Sequence, residues 1–142
     1  MNYQEYRKAY FTDPKPTPKF NFAGSFSVTL YFEDFDSAVS YYQQVLGPPA
    51  YAEGEGTRGW QIGSGWLTLL QGKSGNPCNV EVTFRTETAK EAEQLQQAFI
   101  DAGGEGAAPS DELMYEPVRF CPVRDPFGTD VLIISPLADG ED

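Results

Sequence analysis

Glu81 is the residue whose setting asks most plainly for chemistry. It sits inside the short segment Asn79-Val80-Glu81-Val82-Thr83-Phe84-Arg85. Alternation of period two places Val80, Val82 and Phe84 on one face of a strand and Glu81, Thr83 and Arg85 on the other. A carboxylate there has three uses: to pair with a cation of its own chain, to bind a donor or cation on a ligand, or to accept a proton. Burial without a partner favours general-base work and an ion pair opposes it. Arg85, two same-face steps along with Thr83 between, and Arg119 in EPVRFC are the available partners, and structural pairing is the expected use. Other chemistries lack their parts. The chain has no histidine, so Cys121 has nothing to activate it and reads as a buried bystander thiol. Gly54, Gly56, Gly59, Gly63 and Gly65 lack the strand–loop–helix context and the lysine of a phosphate-binding loop.

Positioning these side chains falls to a regular series of elements. SFSVTLYFED is strand-like by its β-branched and aromatic content. Phe26, Val28, Leu30 and Phe32 share one face, and Ser27, Thr29 and Tyr31 the other. Asp34 or Asp36 then caps a helix whose apolar stripe is Phe35, Ala38, Val39, Tyr42, Val45 and Leu46, ended by Gly47 and two prolines. Short segments near 50–53 and 58–62 lead through a tight turn into WLTLLQ, a hairpin. GKSGNP punctuates the chain, and the strand containing Glu81 follows. A second helix carries Ala92, Leu95, Ala98, Phe99 and Ala102 and closes at Gly103-Gly104. EPVRFCPVR, the type I turn DPFG and the apolar TDVLIIS complete the order.

The two halves repeat. SVTLYF, helix, glycine matches EVTFRT, helix, glycine, with Ser27 and Glu81 54 positions apart. Each half is a β-α-β-β-β unit that cannot bury both sheet faces alone. The expected fold is therefore α+β: two βαβββ modules forming a curved sheet, helices on one face and a cleft on the other. Module boundaries fall at 23–75 and 76–137, with an arm over 1–22 and an acidic tail over 138–142. The same alternation points Ser27, Thr29, Tyr31, Trp66, Thr68, Leu70, Glu81, Thr83, Arg85 and Leu132 into the cleft. Tyr115 and Arg119 belong to one wall, their face left open because Pro117 and Pro122 interrupt the pattern. Trp60 and Trp66 flank the hairpin, and Trp66 has the better claim to the cleft. Aromatic, hydroxyl and charged groups together fit a small-molecule pocket; the bland alternative is a half-solvated sheet face or a dimer contact.

Bulk properties narrow the partners. The chain has 142 residues, 40% of them hydrophobic, enough for one domain with a core. A net charge of −11 argues against nucleic acid and anionic lipid. No apolar run reaches the ~18–20 residues of a membrane-spanning helix, and the N-terminus lacks a signal-peptide core. Two cysteines, Cys78 and Cys121, then read as free thiols of a cytoplasmic protein. Residues 1–22 carry Arg7, Lys8, Lys15 and Lys19 against Glu5 and Asp13, a balance of +2 that leaves −13 on the remainder. Such an arm is expected to lie across its own domain or a partner subunit, or else to be a mobile tail. YQEYRKAYF can form two helical turns, and the prolines at 14, 16 and 18 make FTDPKPTPKF a stiff strap.

VTLYFEDFDSAVSYYQQVLG and VRDPFGTDVLIIS resemble the vicinal oxygen chelate superfamily, which includes glyoxalases, bleomycin-resistance proteins and extradiol dioxygenases. The likeness spans roughly 23–137 and implies fold more than reaction, since one scaffold hosts many chemistries. In metal-using members, ligands come from the first and last strands of each half. Those positions correspond here to Ser27, Thr68, Glu81 and Leu132, of which only Glu81 is a credible ligand. No metal and no other cofactor is therefore expected. The resemblance implies a small-molecule binder of the drug-sequestering kind, its groove shared with a second subunit in a homodimer. The alternatives are a lyase, isomerase or dioxygenase-related enzyme using Glu81 without a conventional metal, and an interaction domain whose cleft is filled by the N-terminal strap.

Overall fold

The computed structural model describes residues 1–19, 27–73 and 80–137. Phe26, Cys78, Asn79, the end of the strap and the acidic tail lie outside them. The elements run α1 (Tyr3–Tyr10), β1 (Val28–Phe32), α2 (Phe35–Leu46), β2 (Tyr51–Glu53), β3 (Thr57–Ile62), β4 (Gly65–Gln71), β5 (Glu81–Arg85), α3 (Ala89–Asp101), β6 (Ser110–Leu113), β7 (Pro117–Arg124) and β8 (Asp130–Pro136). They form two four-stranded mixed sheets of the same topology, β1-β4-β3-β2 and β5-β8-β7-β6. In each, the first strand crosses through a helix to pair parallel with the last, and the remaining pairs are antiparallel. This is the α+β, twice-repeated βαβββ arrangement.

Local chemistry explains the elements. Asp34 caps α2 by accepting the Ser37 N–H, and Gly47 ends it at φ +89°, a conformation L side chains rarely adopt. Thr88 caps α3 through the Glu91 N–H. The two-residue Gly63-Ser64 connection joins β3 to β4, with Gly63 at φ +59°. Each helix lays its apolar stripe on one sheet face: Phe35, Ala38, Tyr41 and Tyr42 from α2, Ala92 and Phe99 from α3. Beneath them lie Leu30, Phe32, Leu67 and Leu69 in one module and Val82, Phe84, Val131 and Ile133 in the other. Aromatic rings knit the halves together, with Tyr42 edge-on to Phe99 at 6.1 Å and Phe32 edge-on to Phe127 at 5.4 Å.

A buried carboxylate locks this junction. Asp125 begins the β7–β8 turn, and its Oδ1 accepts the N–H groups of Phe127 and Thr129. Its Oδ2 accepts the Tyr42 hydroxyl at 2.7 Å, tying α2 to the other module's turn. Burial, then the Asp125 charge and hydrogen bond, push the Tyr42 phenol well above its ordinary pKa. Burial and Asp125 push the neighbouring Tyr41 up to about 12.

Two features depart from the pattern-based reading. α3 buries Gln96, a polar residue outside its apolar stripe, because its amide donates to the carbonyls of Ala107 and Pro122 at 2.8 Å each. β7 runs unbroken through both its prolines. Arg124 exchanges backbone bonds with Glu105 away from β8, so Pro122, two residues earlier, also turns its nitrogen outward. β6 has already ended at the register of Phe120, and no ladder bond is lost.

The arm begins as α1, closed by a capping box between Asn2 and Glu5. It docks on its own chain's β6–β7 loop: the Tyr3 hydroxyl donates to the Tyr115 carbonyl at 2.6 Å, and the Phe11 and Tyr115 rings meet edge-on. Arg7 lies 4.6 Å over the Phe11 ring. No helix among the described residues is long and apolar enough to cross a membrane.

Candidate functional site

The sheet faces turned away from α2 and α3 are set by register. In the first module Thr29, Thr68, Gly59 and Tyr51 form one cross-strand row, and Tyr31, Leu70, Thr57 and Glu53 the next. Trp66 lies on this face above Gly59, where an added Cβ would come within 3.3 Å of both the indole and Tyr51. The Tyr51 ring stands edge-on to Trp66 at 6.4 Å and donates its hydroxyl to Glu53. Trp60 alternates to the helix side, buried against Tyr42, with its indole N–H on the Gly47 carbonyl.

In the second module the equivalent rows are Glu81, Asp130, Arg124; Thr83, Leu132, Pro122; and Arg85, Ile134, Phe120. Leu132 is buried on this face, outside the main core cluster. Asp130 is held by Arg124 at 2.9 Å, beside Glu81. Arg85 makes a two-point contact with Glu116 of the β6–β7 loop, through Nε at 2.9 Å and Nη2 at 3.2 Å.

Between the modules, the β3–β4 turn and the start of β1 face the length of β5 across a cavity of about 660 Å³. Trp66, Glu81, Thr83 and Arg85 line it among the cleft residues expected from alternation. Ser27, Thr29, Tyr31, Thr68, Leu132, Tyr115 and Arg119 do not. Ser27 is tied locally, its Oγ accepting the Trp66 N–H at 3.1 Å. Tyr115 projects into solvent from the β6–β7 loop. Ile62, Gly63 and Ser64 join the lining; no pattern marked them, and the Gly-Ser turn was their only signal. Because β5 is an edge strand, the cavity also reaches Val82 and Phe84 on its inner face.

Both expected partners of Glu81 are engaged elsewhere. Arg85 stands four residues away, about 13 Å along a strand, and turns to Glu116 instead. Arg119 pairs across the sheet with Ser135, on the helix side, so it is not part of the cleft wall. Its Nε lies 3.0 Å from Asp111 Oδ1, in ion-pair contact. Glu81 is exposed at the cavity with no hydrogen bond or ion pair among the described residues. Cys121 is buried on the helix side, where burial, with the Glu93 charge, pushes its thiol up to about 11, although Arg119 opposes the shift.

Comparison with solved structures places this geometry. A glyoxalase/bleomycin resistance protein from Albidiferax ferrireducens superposes with a TM-score of 0.63 at 15% identity, over 78% of this chain and 97% of that one. The fosfomycin resistance protein FosX from Listeria monocytogenes, a mutant complexed with Mn(II) and a dihydroxypropylphosphonic acid, gives 0.64 at 15%, over 82% and 93%. A glyoxalase/bleomycin resistance protein/dioxygenase family enzyme from Burkholderia phytofirmans gives 0.62 at 18%, over 78% and 97%. This chain has the vicinal oxygen chelate fold. No family model and no curated protein matches the sequence.

The vicinal oxygen chelate fold raises the question of a metal, and the donor set here does not fit one. Of the four corresponding positions, Leu132 has no donor atom, Thr68 and Ser27 offer neutral hydroxyls, and only Glu81 brings a charged oxygen. Asp130, the nearest second carboxylate, is committed to Arg124. Among the described residues no group of three or more His, Cys, Asp or Glu side chains is placed to hold a metal ion.

Proposed function

We propose that this vicinal oxygen chelate protein binds a small molecule in the cavity between its modules, through its own side chains and not through a conventional metal site. The observation that carries the reading is the convergence on one cavity of Trp66, Thr83, Arg85 and Glu81, a carboxylate without a partner among the described residues. Its volume suits a ligand of moderate size. Trp66 supplies a flat apolar wall, Thr83 a hydroxyl, and the charged pair orientation. The acidic body favours ligands that carry positive charge. Binding is preferred over catalysis because Glu81 is exposed, without the burial that general-base work calls on. A second copy of the chain is part of the proposal, the +2 arm complementing an acidic neighbour.

A ligand screen by thermal shift and mass spectrometry tests this. Compounds that raise the melting temperature are expected to bind more weakly to Trp66→Ala and Glu81→Gln. If every such compound ignores both substitutions, the cavity is not the site. Mass in solution, before and after deletion of residues 1–22, tests the dimer; a monomer in both states removes it.

A further inference from the structure

The two charges at the cavity are separated, opposite in sign and differently occupied. Glu81 has no protein partner among the described residues. Arg85 is only half used: Glu116 takes Nε and Nη2, and the described hydrogen bonds leave Nη1 without an acceptor. A guanidinium has five N–H donors, so an anion can be taken on its second edge without breaking the first contact. Glu116 thereby fixes the side chain that borders the cavity. Thr83 lies midway between the two charges on the same face of β5. Their Cα atoms are about 13 Å apart along the strand, and both residues line the cavity.

From this geometry we infer that the ligand is a doubly charged, zwitterionic molecule with a cationic group at Glu81 and an anionic group at Arg85. Its body spans Thr83 and rests on Trp66. The charge separation it needs is on the order of 10 Å, from the strand spacing less side-chain reach. A ligand with adjacent charges, such as a free α-amino acid, cannot touch both groups. The Arg85–Glu116 pair carries no net charge, so the anionic end is held by hydrogen bonds from the remaining N–H donors of the guanidinium and not by the charge of its surroundings.

The inference rests on the binding reading, and the test separates the two. The full-length chain is titrated with 8-aminooctanoate, whose extended chain is of the required order, and with octanoate and octylamine, each lacking one charge. Tryptophan fluorescence and calorimetry report binding. The two-charge compound is expected to bind at least about fivefold tighter than either analogue. Glu81→Gln should erase its advantage over octanoate, and Arg85→Gln its advantage over octylamine, with melting curves confirming both variants fold. The ligand-side comparison stands on the unsubstituted protein even if a variant does not fold. Equal binding of octylamine and 8-aminooctanoate, or no binding of the latter, overturns the inference. Binding that depends on Trp66 but not on two charges would leave the cavity reading intact, whereas loss of all Trp66-dependent binding would remove both.

Discussion

The two modules are nearly the same object on their helix side and different objects on their cleft side. Leu67 and Leu69 lie against Val28 and Leu30 as Val131 and Ile133 lie against Val82 and Phe84. Turned over, the first module shows hydroxyls and aromatic rings: Thr29, Tyr31, Thr68, Tyr51 and Trp66. The second shows Glu81, Arg85 and Asp130 around Leu132. Burial holds the helix side to one chemistry, because each apolar side chain there is worth about 1.5–3 kcal/mol. The cleft side is under no such constraint, and it is where the proposed binding function lies. In that proposal one half brings stacking and the other charge.

If the helix side carries the stability, the largest loss should come from the buried carboxylate that ties its two modules together. Asp125→Ala removes the acceptor of the Tyr42 hydroxyl and of two backbone N–H groups in a buried turn. It is expected to cost about 3 kcal/mol or more in denaturant unfolding. A loss below about 1 kcal/mol would mean that the modules are not joined there. On the cleft side, Gly59→Val would press on Trp66 and Tyr51, since even a Cβ at this position comes within 3.3 Å of both. About 1–3 kcal/mol of destabilisation is expected, with ligand binding weakened as well; unchanged binding would take Trp66 out of the site.

The buried phenols set a pH limit on the same comparison. Tyr41 and Tyr42 have raised pKa values in the folded chain, so it holds their protons more tightly than the unfolded chain does. That contribution is complete below the unfolded value of 10.0 and is lost as pH rises from there towards about 12. Stability should therefore fall with increasing pH across this window, and a double Tyr41→Phe, Tyr42→Phe variant should show a flatter profile. The smallest effect is expected on the charged face. A double-mutant cycle on Arg85 and Glu116, both part-exposed, should give a coupling of about 1 kcal/mol or less. A coupling well above that would make this pair a structural element and not a support for the cavity.

Much of the helix side was legible in the sequence because periodicity encodes it directly. Phe35, Ala38 and Tyr42 announce α2, and Leu30 and Phe32 announce the buried face of β1. β6 was not, since Ser-Asp-Glu-Leu has no apolar alternation and exists as a strand only because β7 offers it an edge. Arg119 was placed in a wall segment with its face left open, because its flanking prolines obscured the alternation, and pairing with Ser135 decides that face. Gln96 is buried by distant carbonyls that no local pattern can reveal. At the cavity, alternation identified which side chains share a face, but not which of them meet across the seam between modules. The pairing expected for Glu81 failed for that reason: both arginines found acidic partners in or beside β6, an element without a sequence signal.

The central claim, a ligand site built from side chains on a fold that elsewhere holds metal, is tested most directly by one titration. The highest-affinity compound from the ligand screen is titrated calorimetrically into chelator-treated protein and into its Glu81→Gln variant. The account predicts that binding survives the chelator unchanged and falls at least about fivefold in the variant. Binding abolished by the chelator, or indifferent to Glu81→Gln, would contradict it.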